Sequence, residues 1–140
     1  MATLHVDIVA AEGHIFSGEA SMLFAPAAMG EVGIAPRHAP LLTTLKPGTV
    51  RVQQADGSEL PFFVGGGILE VQPHLVTVLA DTALRGEDAD EAAAAQSKAE
   101  AEAKLAGAKT EMDLAQAQQE LVEAAARLEF VKKLKEPGHR

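Results

Sequence analysis

The chain has 140 residues, no cysteine, tryptophan or tyrosine, and a formal net charge of -8. That length holds one good core, or a small domain with an appendage. The lack of cysteine excludes disulfides, thiolate metal sites and a cysteine nucleophile, as fits a reducing compartment. The acidic balance argues against a nucleic-acid binder, which neutralises phosphates with clustered Lys and Arg.

The N-terminus, MATLHVDIVAAEG, shows no basic region leading into an apolar run, and no window approaches the roughly 18 to 20 apolar residues of a membrane span. A soluble cytoplasmic protein is expected, or one held at a membrane by its partners. LHVDIVA alternates Leu4, Val6 and Ile8 with His5 and Asp7, as a strand with one buried face does. The segment from Gly30 to Thr49, GEVGIAPRHAPLLTTLKPGT, carries Pro36, Pro40 and Pro47, which oppose continuous ladder pairing, and Gly30, Gly33 and Gly48, which permit sharp turns. It reads as a shaped loop system around a short buried run, Leu41-Leu42, and as a docking surface. TVRVQQADGSELPFFV is a hairpin signal around Asp56-Gly57, and GILEVQPHLVTVLAD repeats it, with Val71 and Val76 flanking the turn. Gly65-Gly66-Gly67 runs into a strand, so a bulge or close strand crossing is expected there and not a phosphate loop.

After Arg85-Gly86 the composition shifts to Ala, Glu, Lys and Gln, the best helix formers, with no proline before Pro137. Two helices are expected, broken near Gly107, the second capped by Thr110 with Glu111 and Asp113 in its first turn. Leu114, Leu121 and Leu128 recur every seven residues, interleaved with Ala117, Ala124 and Val131, as a packing seam. The first helix offers alanines (Ala92, Ala95, Ala99, Ala103) and Leu105. An alanine face contributes little on burial against roughly 1 to 2 kcal/mol of backbone entropy per ordered residue. Such a hairpin is marginal alone and is expected to dock on the sandwich, on another protein, or on each in turn. The expected fold is therefore α+β: a β-sandwich of about ten short antiparallel strands over residues 1–86, then a two-helix antiparallel hairpin over 87–140.

Catalytic chemistry has few candidates. His38 lacks a nucleophile motif nearby, and no two histidines stand at ligand spacing among His5, His14, His38, His74 and His139. A β scaffold that gathers His5, His14 and Glu12 round a metal is the remaining enzymatic alternative. Asp81 and Arg85 are expected to form a local structural pair. Acids dominate Glu87 to Asp113, whereas Arg127, Lys132, Lys133, Lys135 and Arg140 make the far end basic.

GEVGIAPRHAPLLTTLKPGTVRV and FFVGGGILEVQPHLVTVLADTALRG, followed by the Ala/Glu/Lys-rich hairpin, closely resemble the epsilon subunits of bacterial F-type ATP synthases over essentially the whole chain. The resemblance implies a non-catalytic rotor subunit, without a cofactor, at the cytoplasmic face of the inner membrane and with no direct membrane insertion. Its sandwich would bind the gamma subunit and rest on the ring of c subunits, with Gly30, Glu31, Val32 and Gly33 at the ring, and Glu31 as the contact. His38 falls in the segment the family uses near the rotor interface. The hairpin would permit turnover when folded down and inhibit ATP hydrolysis when extended into the alpha/beta catalytic head, where Arg127, Lys132, Lys133 and Lys135 would meet acids of the beta subunits. Relatives that bind ATP on this hairpin carry Ile/Leu-Asp-x-x-Arg-Ala; here Asp90 remains, but Ala89 and Ala93 replace the aliphatic residue and the arginine, so weak or absent binding is expected. A free-standing adaptor with an oligomerising hairpin is the alternative.

Overall fold

A computed structural model describes residues 2–135. Pro137, His139 and Arg140, invoked above, lie outside the described residues. The elements are β1 (Leu4–Ala10), β2 (Gly13–Ala20), β3 (Met22–Ala27), β4 (Gly30–Ile34), β5 (Leu41–Gln53), β6 (Glu59–Val71), β7 (Leu75–Ala80) and β8 (Ala83–Arg85), a 3-10 turn (Gly86–Asp88), then α1 (Glu91–Ala106) and α2 (Glu111–Leu134). The strands pair in the order β2-β1-β7-β6-β5-β3-β4, with β8 on β6. Both hairpin signals hold: Gln53 faces Glu59 across Asp56-Gly57, and Val71 faces Val76. Most pairs are antiparallel, while β1 and β7 run parallel side by side.

The sandwich arises from a coordinated bend in the two longest strands. Leu41↔Val71 through Gln53↔Glu59 keeps one constant register. The inward positions nevertheless change parity, from Leu45 to Val50 and Val52 in β5, and from Phe62 and Val64 to Leu69 and Val71 in β6. Side chains alternate with period two, so both strands turn over at one corner and pass from one layer to the other. The corner lies at Lys46–Gly48 and Gly65–Gly67, where Gly66 (φ 102°) and Gly67 (φ 140°) adopt a backbone that other residues avoid. A Cβ on Gly67 would fall on the Leu79 carbonyl oxygen of β7, which is the close strand crossing expected of this triplet.

The same corner corrects two expectations. There are eight strands among the described residues, not about ten, because Pro47 pairs with Gly65 inside a continuous ladder and does not end it. Leu41-Leu42 is not a buried run: Leu42 is 71% exposed, since it falls on the outward parity of β5. Between the layers lies one core, including Leu4, Val6, Ile8, Leu23, Ile34, Val50, Val52, Phe62, Val64, Leu69, Val76 and Val78.

Phe63, one residue out of phase with Phe62 and Val64, turns to the other side of its layer and founds a second cluster with Ala94, Leu128, Phe130 and Val131. There the hairpin docks, with the Phe63 and Phe130 rings 5.9 Å apart and inclined by 51°. Thr110 caps α2, its hydroxyl oxygen accepting from the Asp113 N–H at 3.0 Å, and the chain breaks at Gly107 as expected. The leucine seam is buried at Leu128, Val131 and Ala117 and fades toward Leu114, which is 41% exposed. The alanine face of α1 was mis-phased. Ala94 and Ala101 are buried, whereas Ala92, Ala95, Ala99 and Ala103 face solvent; Ala92 to Ala95 is unbroken alanine, so the sequence pattern carries no angular information there.

Candidate functional site

Gly30, Glu31, Val32 and Gly33 form β4, the edge strand that ends the sheet, entered by a turn whose tip, Met29, is fully exposed. Gly30 (φ 128°) is the turn's left-handed residue. Beside this edge stands a cluster that sequence reasoning missed. Phe24 lies opposite both Gly33 and Arg51 in its neighbouring strands. Its ring spreads over Gly33, where a Cβ would approach it to 3.3 Å, and the Arg51 guanidinium carbon sits 4.3 Å from the ring centroid. Arg51 donates through Nη1 to Glu59 (2.9 Å) and through Nη2 to both Glu31 carboxylate oxygens (3.2 and 3.3 Å). Burial works against the charge of Arg51, but the bonds to Glu59 and Glu31 outweigh it and raise its pKa.

His38 sits in the loop between β4 and β5, half-buried, its Nδ1–H donating to the Ala39 carbonyl at 2.7 Å. The neighbouring Arg37 takes φ 67°, and its N–H donates to the Pro73 carbonyl, which pins this loop to the β6–β7 turn. The loop thus borders the outer face of the second layer. There Ile68, Leu79 and Val9 stand in one cross-strand row, with Leu42 and Leu75 also outward. The signal for this face was available: LVTVLA is apolar at both parities, as a strand covered on both sides is.

The polar half of that face belongs to His5. Its Nδ1 meets Glu19 at 2.8 Å, and its Nε2 meets Asp7 and Ser17 at 3.0 Å each. Glu19 chiefly, then Asp7, raise the His5 pKa; Ser17 and His5 lower that of Asp7, and His5 and Thr3 lower that of Glu19. The Ser17–His5–Glu19 distances match those of a nucleophile, base and orienting acid. The Ser17 hydroxyl, however, donates to Asp7 at 2.7 Å, so the arrangement is an ionic latch between β1 and β2. His5, His14 and Glu12 are not gathered, and no group of His, Asp and Glu among the described residues can hold a metal ion. Asp81 and Arg85 do not pair either. Arg85 instead donates to the Ile15 and His14 carbonyls of β2 and meets Asp88 at 3.5 Å.

On the hairpin, Thr82 donates to Glu123 at 2.9 Å, directly above Gly65, where a Cβ would overlap both side chains. In the docked hairpin Arg127 is turned inward. Its guanidinium carbon lies 5.6 Å from the Phe63 ring centroid, and its Nε is buried with no hydrogen-bond partner among the described residues. Lys132, Lys133 and Lys135 are exposed; Lys133 reaches Glu129 at 3.7 Å and Lys135 reaches Glu91 at 3.3 Å. Asp90 serves as the N-cap of α1, accepting from the Ala93 N–H at 3.2 Å. Between the helices lies a cleft of about 540 Å³ lined by Glu100, Glu120 and Glu123 against Lys104 and Arg127. Lys104 is already paired with Glu120 at 3.0 Å, so this lining disfavours phosphates.

These features define a class: a β-sandwich with an exposed edge, a pinned loop and an outward apolar row, and a helical hairpin laid on a separate, smaller cluster. The chain belongs to the ATP synthase delta/epsilon chain family, whose β-sandwich domain matches residues 3–86. It is 70% identical over 92 residues to the ATP synthase epsilon chain of Nitrosococcus oceani, spanning 66% of each chain. With that of Alkalilimnicola ehrlichii it shares 69% over 94 residues, 67% of each. The alignments thus span about two thirds of these relatives. Among solved structures, a chain of the Euglena gracilis mitochondrial ATP synthase assembly of OSCP, F1 and c-ring superposes with a TM-score of 0.76 at 20% identity, covering 90% of this chain and 79% of that one. A chain of the Tetrahymena thermophila mitochondrial central stalk and c-ring gives 0.56 at 16%, covering 94% and 96%. At these identities the likeness is one of fold.

Proposed function

We propose that this chain is the epsilon subunit of a bacterial proton-translocating ATP synthase, a non-catalytic part of the central stalk. The sandwich, residues 1–86, anchors it. The apolar face of Ile68, Leu79 and Val9, bordered by the His38 loop, receives gamma, and the β3–β4 edge with Glu31 meets the c-ring. The hairpin, residues 87–140, regulates: docked on Phe63 it permits turnover, and extended along gamma, which frees Arg127 from the Phe63 ring, it inhibits hydrolysis, with Arg127, Lys132, Lys133 and Lys135 meeting acidic beta-subunit residues. In this reading the chain works at the cytoplasmic face of the inner membrane, held there by its partners; no described helix is long and apolar enough to cross a membrane.

The observation that carries this reading is the division of the interior. The hairpin rests on Phe63, Phe130, Val131, Leu128 and Ala94, a cluster separate from the sandwich core, so it can leave without opening that core. The test titrates an epsilon-depleted catalytic complex with the full chain and with a version ending at Gly86, reading binding and ATP hydrolysis. Both are expected to bind and the full chain alone to inhibit, and Lys132, Lys133 and Lys135 changed together to Glu should weaken inhibition without loss of binding. Failure of both to bind refutes the assignment; inhibition by the truncated form refutes the role given to the hairpin.

A further inference from the structure

Glu31 stands on edge strand β4, where a charged side chain commonly serves only to keep the edge soluble. A free glutamate side chain samples many rotamers, and ordering it on contact costs entropy. Here the side chain is already ordered. Both its oxygens accept from Arg51 Nη2, while the rest of Glu31 remains exposed. Arg51 lies two strands away, in β5, with β3 between, so its guanidinium reaches Glu31 only by passing over Phe24. The 4.3 Å contact with that ring supports the crossing, and the absence of a side chain at Gly33 makes room for the ring. Behind, Glu59 on β6 holds Nη1 at 2.9 Å, which fixes the plane of the fork.

We propose that Arg51 is the positioning residue for Glu31: laid on Phe24 and braced by Glu59, it holds the Glu31 carboxylate in a set orientation on the free edge for the rotor contact. The inference rests on the reading of Glu31 as the ring-facing residue. A fork suits this, because Nη1 and Nη2, held in one rigid plane over the ring, meet Glu59 and Glu31 at the same time. An ammonium in place of the guanidinium carries three donors but no fixed plane, so it can attract both carboxylates without setting the orientation of either. The pair also ties the edge strand to β6 through side chains alone, across β3 and β5.

The experiment places full-length variants in membrane vesicles carrying the assembled enzyme and reads ATP-driven proton uptake per ATP hydrolysed, with binding to gamma measured alongside. Glu31→Gln and Arg51→Gln are each expected to lower the uptake ratio by about threefold or more, and the double variant to be no worse than either single one, because both act on one contact. Arg51→Lys keeps the charge and the packed stem, so it guards against a folding defect; it should restore less than half of the lost ratio. Binding to gamma stays unchanged throughout. If Glu31→Gln has no effect, the placement of Glu31 at the ring falls and the inference falls with it. If Glu31→Gln lowers the ratio but Arg51→Gln does not, or if the two losses multiply, Arg51 does not position Glu31. Full recovery in Arg51→Lys likewise overturns the proposal, since charge alone would then suffice.

Discussion

Phe130 provides a direct measure of how firmly the hairpin is held. It is 3% exposed and packs on Phe63, which is fully buried, with Val131 and Leu128 beside it. Truncation of a buried Phe to Ala costs about 3 to 5 kcal/mol, the lost transfer energy joined by a cavity. The cost falls on the docked state, because Phe130 touches the sandwich only there. At about 1.4 kcal/mol per tenfold change, Phe130→Ala shifts docking by roughly two to three and a half powers of ten. Gly65→Ala is the graded companion. The new methyl displaces Glu123 and Thr82, whose side chains can swing away, so the cost is about that of their hydrogen bond, near 1 kcal/mol. Hydrogen exchange reads both: amides of α2 should lose protection in the order wild type, Gly65→Ala, Phe130→Ala, while those of β5 and β6 retain it. Loss of protection in the sandwich together with α2, or unchanged α2 in Phe130→Ala, would refute a separately docked hairpin.

Gly67→Ala acts on the fold itself. The methyl meets the Leu79 carbonyl and the Ala80 Cα of β7, backbone that cannot move aside, at φ 140°. We expect a loss of about 2 to 5 kcal/mol, hence a Tm lower by at least about 10 °C in a domain of this size. A melting temperature within about 2 °C of the parent contradicts the account of the corner. The His5 latch predicts a pH signature. His5, with its raised pKa, contributes stability fully below its unfolded value near 6.5 and loses it as pH rises through the folded value. Asp7 and Glu19, with lowered values, contribute above their unfolded values near 4 and lose it as pH falls through the folded ones, with His14 adding to the field at Asp7. The Tm difference between the parent and His5→Gln should therefore peak between about pH 4.5 and 6.5, and a flat difference across pH 4 to 8 counts against the latch.

How far the chain could be read in advance follows from how much each signal depends on distant partners. The two tight turns, the Gly107 break and the Thr110 cap are local devices, and each stands where its residues put it. Pro47 and the glycine triplet misled the strand count because a bend inside a ladder and a break between ladders use the same residues. The phase of α1 was invisible, since alanine at four successive positions leaves no amphipathic direction. Arg51 escaped notice because its partners, Phe24, Glu31 and Glu59, lie 27, 20 and 8 residues away and meet only through the register of four strands. Glu31 was singled out by resemblance, and the structure adds what holds it.

Strand β6 joins the two behaviours of this molecule. Phe62 and Val64 face the sandwich core, and Phe63 between them faces the hairpin. Alternation therefore makes one strand both the wall of a permanent core and the floor of a docking site, so the hairpin can lift without removing anything from between the layers. The docked state is also imperfect. Arg127 Nε is buried there without a hydrogen-bond partner among the described residues, which weighs against docking. The Ala94, Ala101 and Ala117 seam adds little burial against it. On the proposed function the hairpin exchanges one surface for another, which requires a docking energy small enough for a competing surface to overcome. A few buried side chains set against one orphaned guanidinium nitrogen meet that condition, whereas a leucine-rich α1 would not.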